Sequence, residues 1–74
     1  MSKLPVIKPK QLIKALKRVG YYVDHQTGSH VILYKDDKSP PVSVPMHNKD
    51  LRKGTLGKIL KQCDLTPGRL KRLL

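Results

Sequence analysis

Apolar residues recur along the chain with two different periods, and the changes of period divide it into elements. Between Lys10 and Val19, Leu12, Ile13, Leu16 and Val19 fall on one side of a helical wheel, while Lys10, Lys14, Lys17 and Arg18 fall elsewhere. Pro9 suits the first turn of that helix, and Gly20 stands where helices commonly end in a left-handed residue. Residues 1–7, with Pro5 among them, read as an extended lead-in. From Tyr21 the period changes. Tyr21, Tyr22 and Val23 carry strand-favouring side chains, and Thr27, Gly28 and Ser29 signal a turn. His30 to Tyr34 then alternates as a strand does, with His30, Ile32 and Tyr34 on one face and Val31, Leu33 and Lys35 on the other. Asp36 to Pro41 form the next turn. Val42, Ser43 and Val44 make a third short strand, and Pro45 marks its end or a sheet edge. Helical spacing returns at Leu56, Ile59, Leu60 and Cys63, which follow i, i+3, i+4, i+7. Gly54 and Gly57 weaken the first turns of this second helix and blur its start. Thr66 followed by Pro67 is a cap and a first position for a short terminal helix within 66–74, carrying Leu70, Leu73 and Leu74.

The predicted order is helix, three strands, helix and a short C-terminal helix, in a single domain over residues 1–74. Short turns between strands favour an antiparallel meander. The fold class is therefore α+β, with two helices covering one face of a three-stranded antiparallel sheet and the other face open.

Charge narrows the partner. There are 16 Lys and Arg against 5 acidic residues, all Asp, for a formal charge of +11. Such a chain attracts polyanions, of which nucleic acid is the commonest. Anionic lipid and an acidic protein face are the alternatives. The basic, amphipathic first helix fits a membrane-surface anchor poorly, because its apolar face is narrow and a sheet follows that needs covering. No stretch reaches the length of a membrane span and no signal peptide is expected. A lone cysteine, Cys63, allows no intramolecular disulfide and suits a reducing, cytoplasmic setting.

The candidate chemistry is sparse. The chain has no Glu and no cluster of carboxylates and histidines at metal-ligand spacing, so no metal and no other cofactor is expected. Asp36 and Asp37 read as turn residues, and Cys63 lies on an apolar helix stripe. His25, His30 and His47 remain. Histidine exchanges protons near neutral pH, and RNA supplies its own nucleophile in the 2′-hydroxyl. Cleavage then requires removal of that proton, stabilisation of charge growing on the phosphoryl group and protonation of the leaving 5′-oxygen. Histidine can perform the first or last task, and Lys or Arg the second. His30 is the best placed of the three, opening a strand directly after a turn. Taken alone, such a histidine is more often a partly exposed strand residue without a role.

Three ordered motifs add to this. Gly20-Tyr21-Tyr22-Val23 with Gln26-Thr27-Gly28-Ser29-His30, then Val42-Ser43-Val44-Pro45-Met46-His47, then Leu51 to Gln62 with its Lys53-Gly54-Thr55-Leu56 start, resemble the HicA toxin family over roughly residues 8–65. The resemblance implies a fold like the double-stranded-RNA-binding domain and a messenger-RNA-cleaving toxin of bacteria and archaea. It also implies a HicB-type antitoxin that covers the active site. The family's catalytic histidine, that of its Gly-Ser-His motif, falls on His30. Three positions depart from the family pattern, one of them Asp24, which adds an acid near the motif. His25 stands where many members carry a basic residue, often Arg, and Met46 where many carry His. His25 replaces that fixed charge only when protonated.

Around His30, Gly28 is expected to supply a backbone angle that other residues resist, and Ser29 to hold the turn. Lys35, Lys53 and Lys58 are candidates to contact phosphate or stabilise the transition state, together with His25 and His47; for each lysine the alternative is a solvated surface residue. Tyr34 is a candidate to stack on a base or to join the core. The competing function is a non-catalytic RNA-binding module of the same fold.

Overall fold

The computed structural model describes residues 4–74. The elements run α1 (Pro9–Arg18), β1 (Tyr22–Thr27), β2 (His30–Tyr34), β3 (Val42–Pro45), α2 (Lys53–Gln62) and α3 (Pro67–Leu73). Of the lead-in predicted over residues 1–7, the first three lie outside the described residues. Residues 4–7 carry no regular secondary structure, and Ile7 is buried. Its carbonyl accepts from the Leu51 N–H at 2.9 Å, which ties the lead-in to the entry of α2.

α1 starts with Pro9 at its first position, as the sequence predicts. The Gln11 side chain accepts from the Lys8 N–H at 2.9 Å, satisfying a donor just ahead of the helix. The buried stripe is Leu12, Ala15 and Leu16, with Ile13 and Val19 only partly covered. The helix ends in a Schellman arrangement. Gly20 takes φ +104° and donates to the Lys17 carbonyl, while Tyr21 donates to the Leu16 carbonyl. The same device ends α2. There Asp64, at φ 57°, donates to Lys61, and Leu65 donates to Leu60.

The three strands form one antiparallel sheet in the order β1-β2-β3. Val31, Leu33, Val42 and Val44 point inward and, with Leu12, Leu16, Leu56, Ile59, Leu60 and Leu70, form the core. α1 and α2 pack on β3. β1 lies at the far edge, where all six residues are exposed. Its register slips by one residue between Val23 and His25, so Asp24 is the extra residue of a β-bulge. The sequence places strand character at Tyr21–Val23. In the structure Tyr21 precedes the strand and is buried, and β1 continues through the polar run to Thr27. An exposed edge strand has no buried face to impose alternation, so its sequence carries no period. α2 runs through both Gly54 and Gly57; Leu56, Ile59 and Leu60 are buried in the core and outweigh the weak propensity of the first turns. α3 is capped by Thr66, whose Oγ1 accepts from the Arg69 N–H at 3.1 Å, and its Leu70 is fully buried.

The result is α+β with helix–sheet–helix order, the layout of a double-stranded-RNA-binding-domain-like fold with α3 added. No helix of the described residues is long and apolar enough to cross a membrane.

Candidate active site

A two-residue hairpin, Gly28-Ser29, joins β1 to β2, with Thr27 and His30 paired on either side. Gly28 has φ +56° and Ser29 does not have positive φ, as a type II′ hairpin turn requires. The Ser29 carbonyl accepts from the Met46 N–H at 2.6 Å, so the turn is also fastened to the end of β3. His30 is thus the first residue of the central strand, flanked by Thr27 on β1 and Pro45 on β3. Its side chain is exposed.

Residues paired across a sheet share a face, so the register identifies what accompanies His30. On the face away from the helices lie Thr27, His30 and Pro45, then His25, Ile32 and Ser43, then Tyr22 and Tyr34. The two tyrosine rings stack with centroids 6.5 Å apart and 29° between planes. Tyr22 is 53% exposed. The open face therefore carries two imidazoles at one end and an aromatic pair at the other. Tyr34 faces away from the core, and Tyr22, which the sequence reading did not single out, is its partner. The cross-strand register could have revealed it, but that depends on the bulge at Asp24.

Near Pro45 a groove of about 380 Å³ has His47, Lys49, Asp50, Arg52 and Thr55 in its wall. A neighbouring groove places His47 beside Met46, Lys8 and Lys10 at the start of α1. The rim beyond His30 thus carries the expected His47 together with Lys49 and Arg52, which outnumber Asp50 in the same wall. Lys49 and Arg52 hold the positions beside Pro45; Lys53 and Lys58 are exposed residues of α2 outside these groove walls. Lys35 is not brought to His30. It follows the opposite end of β2, roughly 16 Å along the strand, with its Nζ 5.9 Å from the centre of the Tyr21 ring. Sequence alternation shows that Lys35 and His30 take opposite faces, but not that Tyr21 turns inward to meet Lys35.

A further groove, around Lys35, is lined by Arg18, Cys63, Asp64 and Arg69 among others. Burial pushes the Cys63 thiol above its ordinary pKa, which keeps it protonated at neutral pH and disfavours a nucleophilic role. The adjacent Tyr21 hydroxyl is pushed up to about 12, by burial first and the nearby thiol second. Asp36 is held below the usual carboxylate range by N–H donation from Ser39 and Lys38, at 2.7 and 2.9 Å to its Oδ1. It is a turn residue, as the sequence suggests. Among the described residues, no three His, Cys, Asp or Glu side chains gather where they could hold a metal ion.

Comparison with known families identifies the chain's relatives. The model of a family described as the HicA toxin of bacterial toxin–antitoxin systems matches residues 9–65, from the first turn of α1 to the turn after α2. A comparison with curated proteins finds no match.

Proposed function

The chain belongs to the HicA toxin family, and from that premise we propose that it is an endoribonuclease that cleaves messenger RNA without a metal ion, using His30 as the base. The observation that carries the reading is the placement of His30. The strand fixes its backbone, while its ring stands exposed on the uncovered sheet face beside a basic rim. A neutral imidazole there accepts the 2′-hydroxyl proton. The 2′-oxygen then bonds to phosphorus, the bond from phosphorus to the 5′-oxygen breaks, and a 2′,3′-cyclic phosphate and a 5′-hydroxyl result. Lys49 and Arg52 supply positive charge beside this end of the sheet for the phosphoryl oxygens. Tyr22 and Tyr34 offer an aromatic surface on the same face for an unpaired base, which favours single-stranded RNA.

The protein partner in this reading is a HicB-type antitoxin that covers the open face. Such a partner would present acidic groups to the basic rim and apolar ones to Ile32 and the tyrosines.

The test is cleavage of single-stranded RNA by wild type and His30→Ala in the presence of EDTA. The proposal expects cleavage by wild type and loss of at least about 100-fold in the variant, with Tm unchanged because the ring is exposed. Equal binding of RNA by both proteins, with cleavage by neither, would instead favour an RNA-binding module.

A further inference from the structure

Transfer of the 2′-proton accounts for only half of the reaction. As the phosphorus–oxygen bond breaks, the leaving 5′-oxygen needs a proton, and His30 acting as the base cannot supply it from the same position at the same moment. We infer that His25 is the second proton-transfer group, acting as the acid, and that Asp24 orients it. The inference rests on the reading of His30 given above.

Three observations carry it. First, the register pairs His25 with Ile32 and Thr27 with His30, so the two imidazoles are diagonal neighbours on the open face. Sheet geometry puts their backbones about 7–8 Å apart. That leaves room for a phosphodiester between the rings, as an in-line displacement with base and acid on opposite sides of phosphorus requires. Second, the bulge at Asp24 sets this register. Successive residues in a regular strand point to opposite faces, yet here the Asp24 carboxylate reaches the neighbouring imidazole, with Oδ2 2.7 Å from Nδ1. An ionised carboxylate only accepts, so Nδ1–H donates and Nε2 is left as the working nitrogen. Third, the pair is half exposed, at 50% for His25 and 46% for Asp24. A contact so exposed contributes little to stability, and its consequence is to fix the direction of the ring.

In the balanced step His30 gains the 2′-proton, protonated His25 gives its Nε2 proton to the 5′-oxygen, and water restores both states. The groups facing His25 are Asp24 on its own strand, His30 on β2, and Tyr22 and Tyr34 farther along the same face. From β3 this face receives Ser43 and Pro45, which do not titrate, with His47 beyond them.

The experiment uses one single-stranded oligoribonucleotide that wild type cuts, made with either oxygen or sulfur as the bridging 5′-atom. A thiolate leaves without being protonated, so sulfur removes the need for an acid. His25→Ala is expected to lose about 10²- to 10⁴-fold in kcat on the oxygen substrate and to approach wild type on the sulfur one. His25→Arg keeps the charge and is expected to be as slow as His25→Ala on oxygen. Asp24→Asn, which leaves the ring without its orienting acceptor, is expected to lower kcat on the oxygen substrate with KM and Tm unchanged and to approach wild type on the sulfur one. Wild-type rates in His25→Arg, or an equal loss by His25→Ala on both substrates, would overturn the inference. His30→Ala should be slow on both substrates; if it is not, the reading of His30 fails, and this inference with it.

Discussion

An imidazole on the first residue of a central strand is held through its backbone and free through its ring, and at His30 that hold begins two residues earlier. Gly28 sits at φ +56°, and a Cβ placed there would meet nothing within 4 Å. The resistance to substitution is therefore conformational, about 1–3 kcal/mol for an L-residue in so sparsely populated a region. Gly28→Ala is predicted to lower stability by that amount in urea titration. It should lower cleavage by more than the lost folded population explains, because the turn aims His30. Tyr21 offers a second check at this scale. Its folded pKa is raised from 10.0 to about 12, so its burial adds stability that is fully present below pH 10 and disappears as pH rises toward 12, where the unfolded chain releases the proton first. Unfolding followed across that window should show the steep loss in wild type and a shallower one in Tyr21→Phe. Asp64 holds φ 57° at the end of α2, where glycine is the usual occupant. Asp64→Gly is predicted to raise the urea midpoint, corresponding to up to about 1 kcal/mol.

At the scale of elements, legibility followed burial. α1 and α2 each place an apolar stripe on the core, and both can be read from spacing alone, even with two glycines inside α2. β2 and β3 alternate because one face packs and the other does not, so Val31, Leu33, Val42 and Val44 announce the inner side and His30 the outer. β1 is the exception. All six of its residues are exposed, and a bulge interrupts its period, so neither its length nor its register could be inferred. That hidden register positions Tyr22 beside Tyr34 and His25 near His30. Thus a strand with little sequence signal sets the layout of the open face. The hairpin was legible because Gly28 has a conformational task. The basic rim was legible as charge but not as positions, since which cations of the loop and α2 flank Pro45 depends on how the segment after β3 turns back to the core.

For the whole molecule, 16 basic residues against 5 acidic ones give a net charge that acts at a distance as well as in contact. RNA binding should weaken steeply with salt. Five phosphate contacts on a single strand would give a log–log slope near −3.5, measurable by fluorescence anisotropy with His30→Ala to prevent cutting; a slope near zero would contradict an electrostatic RNA surface. What separates a basic domain that only holds RNA from one that also cuts it is the reaction at one face. Mass spectrometry of the ends left on a single-stranded RNA after incubation with the wild-type chain addresses this most directly. The expected products are 2′,3′-cyclic or 3′-phosphate ends paired with 5′-hydroxyls. Ends carrying a 5′-phosphate and a 3′-hydroxyl would contradict the proposed function, because the ribose 2′-oxygen would then not have been the nucleophile.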